Sequence, residues 1–188
     1  MEILYAAAQL SNVDTGDEES ASQVAAAGME LLRRAENIDV RAWAADALSL
    51  PYLRQIPLES RINAGLAHRL AASLYIVQAI EPVRKIFGQV GTDALDQALF
   101  EQLSKIPPED PNFKATTWPT FISGAGAKDT QRRVWVMERL QKHLGTCPWG
   151  FIFTAMETLQ IVWRLDSPGR DRTWVQTLKD PRLNFLMV

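Results

Sequence analysis

Between Leu58 and Ile80 the chain carries apolar residues on two sides of a single helix. Leu58, Ile62, Leu66, Leu70, Leu74 and Val77 recur at helical spacing and make one stripe. Ala64, Ala67, Ala71, Tyr75 and Ala79 make a second. A helix with one apolar stripe can lie on a surface, whereas a helix with two has to be covered on both faces. The segment therefore predicts a rod inside a bundle, with its alanines allowing neighbours to approach closely. Pro82 falls just past its end, where an unbroken helix becomes unfavourable.

The remaining chain is read in the same way. Helical spacing dominates throughout, and no sustained strand-type alternation occurs. A short helix is expected at about 2–10. The acids Asp14, Asp17, Glu18 and Glu19 precede a second, which ends near Glu36. Val24, Ala27, Leu31 and Ala35 form its inner side, and Gly28 weakens its middle. Val40 to Leu48 predicts a short helix with Trp43 inward, before a loop holding Tyr52 and Leu53. A helix at about 93–106 turns Leu95, Leu99 and Leu103 inward, and Pro107, Pro108 and Pro111 form a linker. Pro119 should kink the segment from Phe113 to Ser123 or shift its first turn. Asp129 or Thr130 caps the next helix, which turns Val134, Met137, Leu140 and Leu144 inward and stops at Gly145. The last long helix places Trp149, Phe153, Met156, Leu159 and Trp163 on one face. A loop at Asp166 to Arg170 leads to a short helix near Trp174, and the apolar tail LNFLMV is expected to pack. The expected fold is all-α, one domain over 1–188, with eight or nine helices around the rod at about 58–80.

Charge and cysteine usage exclude several function classes. Lys plus Arg number 20 against 22 Asp plus Glu, a net charge of -2. Such a balance supplies no overall surplus for gripping a nucleic-acid backbone, so no direct nucleic-acid binding is expected. The lone Cys147 cannot form an internal disulfide, and it reads as a small apolar filler at a helix start. With two histidines, His68 and His143, it falls short of a structural zinc set. No metal and no cofactor are expected. The amino terminus lacks a basic leader, and no run reaches the ~20 apolar residues of a membrane span. An intracellular protein with no membrane partner is expected.

No familiar catalytic motif is present. His68 and Tyr75 lie on the central rod, and an imidazole near a phenol can move a proton or orient a ligand. A core histidine with one hydrogen bond is the plainer reading. Glu157 lies at the border of its helix's apolar face and reads as a structural partner for Arg132 or Arg133. The six tryptophans are core material by default and, alternatively, walls of an apolar cavity.

The stretch IPPEDPNFKATTWPTFISGAGAKDTQRRVWVMERLQKHLG, followed by LQIVWRL and RTWVQTL, carries a family resemblance. With Trp118-Pro119, Phe121, Gly124, Ala127, the Arg132/Arg133 pair, Trp135, Val162-Trp163 and Trp174, it resembles the carboxy-terminal half of the fungal-specific transcription factor domain. AGLAHRLAASLYIVQAI resembles that family's long central helix. The domain is the helical regulatory region that accompanies six-cysteine zinc-cluster DNA readers. The zinc cluster is absent here, and so is the first half of the helical region, as in an excised piece or a short relative. Apolar surface bared by that loss would be buried by a homodimer, a ligand or repacking, and a symmetric homodimer is the expected solution. The family commonly has an acid where Gly126 stands, so its loss should free Arg132 or Arg133 and leave space near Trp118.

The resemblance implies a regulatory module that binds an apolar metabolite or a protein partner, and that does not bind DNA. The alternative is a repurposed, cofactor-independent cyclase, pericyclase or isomerase of fungal secondary metabolism. Trp118, Phe121, Trp149 and Phe153 would shape its pocket, with His68, Tyr75 or Arg132 as polar handles.

Overall fold

The computed structural model describes residues 2–46, 49, 54–165 and 173–179. The loop with Tyr52 and Leu53, the segment Asp166 to Arg170 and the LNFLMV tail lie outside the described residues, as does Leu48. Among the described residues there are nine α-helices and no strands. They are α1 (Glu2–Leu10), α2 (Glu18–Glu36), α3 (Val40–Asp46), α4 (Leu58–Ala79), α5 (Glu81–Ser104), α6 (Thr117–Ala125), α7 (Thr130–Thr146), α8 (Gly150–Leu165) and α9 (Trp174–Leu178), with one 3-10 turn at Phe113–Thr116.

Helix α4 is the central rod, packed against α1, α2, α3, α5, α6, α9 and the 3-10 turn. Ile62, Ala67, Ala71, Leu74, Ile76 and Val77 are all at most 2% exposed. Leu58, at the entry turn, is 40% exposed and falls outside the core. At Ile80 the backbone turns extended, and Pro82 opens α5 from its first turn, where its missing N–H costs nothing. Gly28 sits where α2 crosses the start of α5: a Cβ there would collide with Val83 Cγ2. The glycine that weakens α2 in isolation is what lets these two helices touch.

Helix α5 begins twelve residues before the expected start at 93, and it bends at Gly88, with φ 74° and ψ 169°. That conformation is open only to glycine. The bend leaves Ile86 and Val90 exposed and returns Leu99 and Leu103 to the core. Pro119 sits in the first turn of α6, so the chain shifts from a 3-10 turn into an α-helix and Pro119 does not break one. Asp129 caps α7, its Oδ1 accepting from Arg132 N at 2.7 Å. Gly145 does not stop α7, which runs on to Thr146 before half-buried Cys147 turns extended.

Several helices are rotated from their expected faces. In α3, Val40 and Ala44 face inward, while Trp43 is 55% exposed. In α2 the inner side is Val24, Gly28, Leu31 and Ala35, and Ala27 faces out. In α7 the inward residues are Val136, Arg139, Leu140 and His143, and Val134 faces out. In α8 they are Ile152, Ala155, Thr158, Leu159 and Val162, while Trp149 and Phe153 are 55% and 54% exposed.

Buried polar side chains explain the rotation of α7. Arg139 donates from Nε to Thr120 Oγ1 at 3.1 Å, from Nη1 to Ile106 O at 2.9 Å and from Nη2 to Thr116 Oγ1 at 3.0 Å. Its guanidinium also lies 4.5 Å from the centre of the Phe113 ring. One arginine thus joins α7 to α6, to the 3-10 turn and to the end of α5. Burial brings it down to about 10, a value at which it still carries its charge at neutral pH. His143, one turn on, stacks on Phe113 at 4.0 Å.

Candidate ligand groove

A trough of about 750 Å³ opens between α4 and the helices amino-terminal to it. That volume lies within the range of small-molecule clefts, about 300–1,000 Å³. Its floor comes from the side of α4 that begins at Ala64, the first residue of the second apolar stripe, and continues through the residues beside that stripe. Ala64, Gly65, His68 and Ala72 recur three and four residues apart, so they line up along the helix. Three of the four are small, and the trough is the volume their missing side chains leave.

One wall is Trp43. A Cβ on Gly65 would sit 2.6 Å from Val40 Cγ1 and 3.1 Å from Trp43 Cζ3, so only glycine admits α3 this close. Trp118 also lines the trough, and its indole stacks on His68 with ring centres 5.9 Å apart and an interplanar angle of 18°. Ile3, Leu4 and Ile38 complete the apolar lining. At the far end, Asn112 Nδ2 donates to Ser60 Oγ at 2.7 Å, and Ser60 Oγ donates to Asp110 Oδ1 at 2.6 Å. This chain pins the proline-rich linker to the start of α4.

His68 Nε2 lies 2.8 Å from Ala115 O. A carbonyl only accepts, so Nε2 carries the proton and Nδ1 is the acceptor in the neutral ring. Desolvation lowers the His68 pKa against the opposing effect of that bond, so the ring is neutral at pH 7. Three arginines, Arg34, Arg61 and Arg69, line the groove against one acid, Glu2. Arg69 Nη1 donates to Ile38 O at 3.2 Å, just past the end of α2. Arg61 donates to Ala44 O at 3.1 Å and to Ile56 O at 2.8 Å, fixing α3 on α4. Arginines thus outnumber acids among the residues that line the groove.

The residues expected at a site are dispersed. His68 and Trp118 meet in the groove. Tyr75 and Phe121 instead meet Trp174, at 6.2 and 5.6 Å between ring centres. Phe121 is buried there, and burial raises the Tyr75 phenol. Trp149 and Phe153 lie at the outer surface of α8 with Phe151. Of the three polar handles, only His68 lines the groove.

Arg132 is not freed by Gly126. It pairs with Asp96, donates to Gln97 Oε1 at 2.6 Å and lies 4.6 Å over the Phe100 ring. Arg133 donates to Ala127 O at 2.9 Å and lies over Trp163. Glu157 faces outward. The space at Gly126 opens toward Gln78 Nε2 and Asp96 Oδ1, at 3.2 and 3.6 Å from a Cβ built there. Burial pushes Asp96 up to about 6, outweighing the pull of Arg132.

Trp43, Gly65 and the three arginines were not among the expected site residues. The signal available was Arg61, Gly65, His68 and Ala72 at helical spacing beside the two apolar stripes, a polar and small face that a buried rod does not need.

The described residues thus form an all-helical domain with a buried rod and a groove lined by aromatic side chains. The family model for the fungal specific transcription factor domain matches residues 2–188, and the chain belongs to that family. The acriflavine sensitivity control protein acr-2 of Neurospora crassa is 32% identical over 201 residues, which cover 100% of this chain and 33% of that protein. The chain thus spans about a third of the length of that curated relative. No solved structure matches. Among the described residues, no helix is long and apolar enough to cross a membrane.

Proposed function

We propose that this domain is a regulatory module of transcription control that binds a small, flat, largely apolar molecule in the groove of α4 and does not itself read DNA. It acts inside the cell, in the cytoplasm or nucleus. The observation that carries this reading is that two indoles, Trp43 and Trp118, line one trough with the small residues Ala64, Gly65 and Ala72. Flat walls favour flat occupants, because stacking and apolar burial then act over the whole ligand face. Occupancy would tie α1, α2 and α3 to α4 and to the linker, a change that the rest of a longer regulator can sense.

The test is a fluorescence titration with 2-(hydroxymethyl)anthracene, a neutral tricyclic probe. Saturable binding, abolished when Ala72→Trp fills the trough, is the expected result. Equal binding by wild type and Ala72→Trp would refute the groove as the site.

A protein-partner reading rests on a separate observation. Trp149, Phe151 and Phe153 are 55%, 49% and 54% exposed within five residues, an apolar cluster of the kind that marks contact surfaces. A second copy of the chain is the partner proposed for it, as in a two-fold dimer. Sedimentation should then show a dimer that Phe153→Ser weakens, and a monomer at all working concentrations would refute it.

A further inference from the structure

Two polar side chains that line the trough have their hydrogen-bonding roles fixed by the protein around them. His68 Nε2 lies 2.8 Å from Ala115 O, which can only accept, so the neutral ring spends its one proton there. Nδ1 keeps a lone pair, and among the described residues it has no hydrogen-bond partner. Asn112 is settled by a longer chain of the same logic. The Asp110 carboxylate only accepts, so Ser60 Oγ gives it its proton across 2.6 Å. Ser60 Oγ can then only accept from Asn112, which holds the amide nitrogen at 2.7 Å and leaves Oδ1 as the free end. Among the described residues Oδ1 has no partner, and it is not sealed in the interior.

Both side chains have thus given their donors to the protein and kept an acceptor. Asn112, Ala115 and Trp118 follow at three-residue spacing from the linker into α6 and all line the trough, and Trp118 stacks on His68. A ligand that covered these acceptors without a donor would strip their water and return nothing, which costs affinity.

We propose that the ligand of this groove is a hydrogen-bond donor of the phenol class: a flat hydroxylated aromatic whose O–H donates to His68 Nδ1 beside Trp118, with Asn112 Oδ1 as acceptor for a second hydroxyl. The proposal rests on the small-molecule reading above and adds the polarity of the ligand's edge. The rival occupant is an aromatic that only accepts. Arg61 and Arg69 bring donors to the lining, but these reach Ala44 O, Ile56 O and Ile38 O within the protein.

The test uses two probes of one ring system, anthracen-2-ol and 2-methoxyanthracene, titrated by fluorescence into the full chain at pH 7.5. The ether accepts but cannot donate. Wild type should bind the phenol about five- to tenfold tighter than the ether. His68→Phe keeps a flat ring against Trp118 without the acceptor, and should cut that preference to within about twofold. The nitrogen NMR resonance of His68 Nδ1 gives a readout that needs no variant: a hydrogen bond from saturating phenol should move it upfield, and the ether should move it far less. Equal affinity of wild type for the two probes, or an Nδ1 resonance unmoved by bound phenol, would overturn the donor assignment and leave the apolar trough standing. A preference undiminished in folded His68→Phe would overturn the choice of His68. Failure of both probes to bind wild type would remove this inference together with the small-molecule reading.

Discussion

His143 offers a quantitative test of the carboxy-terminal core. It is fully buried, and among the described residues neither ring nitrogen has a hydrogen-bond partner. Burial, with Arg139 nearby, brings its pKa from 6.5 down to about 4. The folded chain therefore holds the ring neutral, while the unfolded chain protonates it below pH 6.5. Stability is complete above that value and falls as the pH drops toward 4. Each pH unit inside this window costs about 1.4 kcal/mol, so between pH 8 and pH 5 the imidazole removes about 2 kcal/mol. His143→Leu deletes the titration at similar volume, losing the stack on Phe113 and two unsatisfied nitrogens. Urea unfolding of both proteins at pH 8 and pH 5 isolates the effect, because other titrating groups are common to the pair. The variant should gain about 2 kcal/mol on wild type between the two pH values. A difference that stays constant within about 0.5 kcal/mol would mean that the ring is not held neutral in the core.

Asp96 acts in the opposite sense. Its folded pKa of about 6 lies above the ordinary 3.8, so its ionisation costs stability as the pH rises from about 4 to 7. Asp96→Asn should gain about 2–3 kcal/mol on wild type over that range in the same unfolding assay, and an unchanged difference would contradict the burial argument. Gly126→Glu places a second carboxylate beside Asp96, so it should destabilise by about 1–2 kcal/mol at pH 7.5 and recover at pH 5. Equal cost at both pH values would show that the two acids do not meet. Gly88→Ala strains a backbone that only glycine adopts freely and should cost about 1–3 kcal/mol in thermal unfolding. A neutral result would mean that α5 runs straight.

The all-α class and the central rod were legible because α4 carries two apolar stripes, and no other architecture hides both. The acidic start of α2 and the cap of α7 at Asp129 or Thr130 were legible from an acid just before a helical pattern; the structure chooses Asp17 and Asp129, whose side chains accept from Ser20 N and Arg132 N. The faces of α3, α7 and α8 were not. Reading every large apolar residue as inward assumes that the interior has no other claimants. Arg139 and His143 took inner positions on α7, and Thr158 did so on α8, leaving Val134 and Phe153 outside. Arg139 holds its place through Thr116, Thr120 and the Ile106 carbonyl, partners 23, 19 and 33 residues away that no local periodicity reveals.

The same limit applied to the groove. Trp118 and His68 could be chosen for their chemistry, but Trp43 read as core. The trough exists only because Gly65 admits α3, a contact between distant segments. The bend at Gly88 was hidden in the same way, since a glycine in a helical pattern reads as a weak helix position until neighbouring helices select its backbone.

Indole N–H resonances, assigned by single Trp→Phe substitutions, would locate a bound aromatic ligand directly. On addition of 2-(hydroxymethyl)anthracene, the signals of Trp43 and Trp118 should shift together and saturate together, while those of Trp135 and Trp163 stay in place. Movement at Trp149 alone, or no movement at Trp43 and Trp118, would contradict the groove on α4 as the place where this domain takes its ligand.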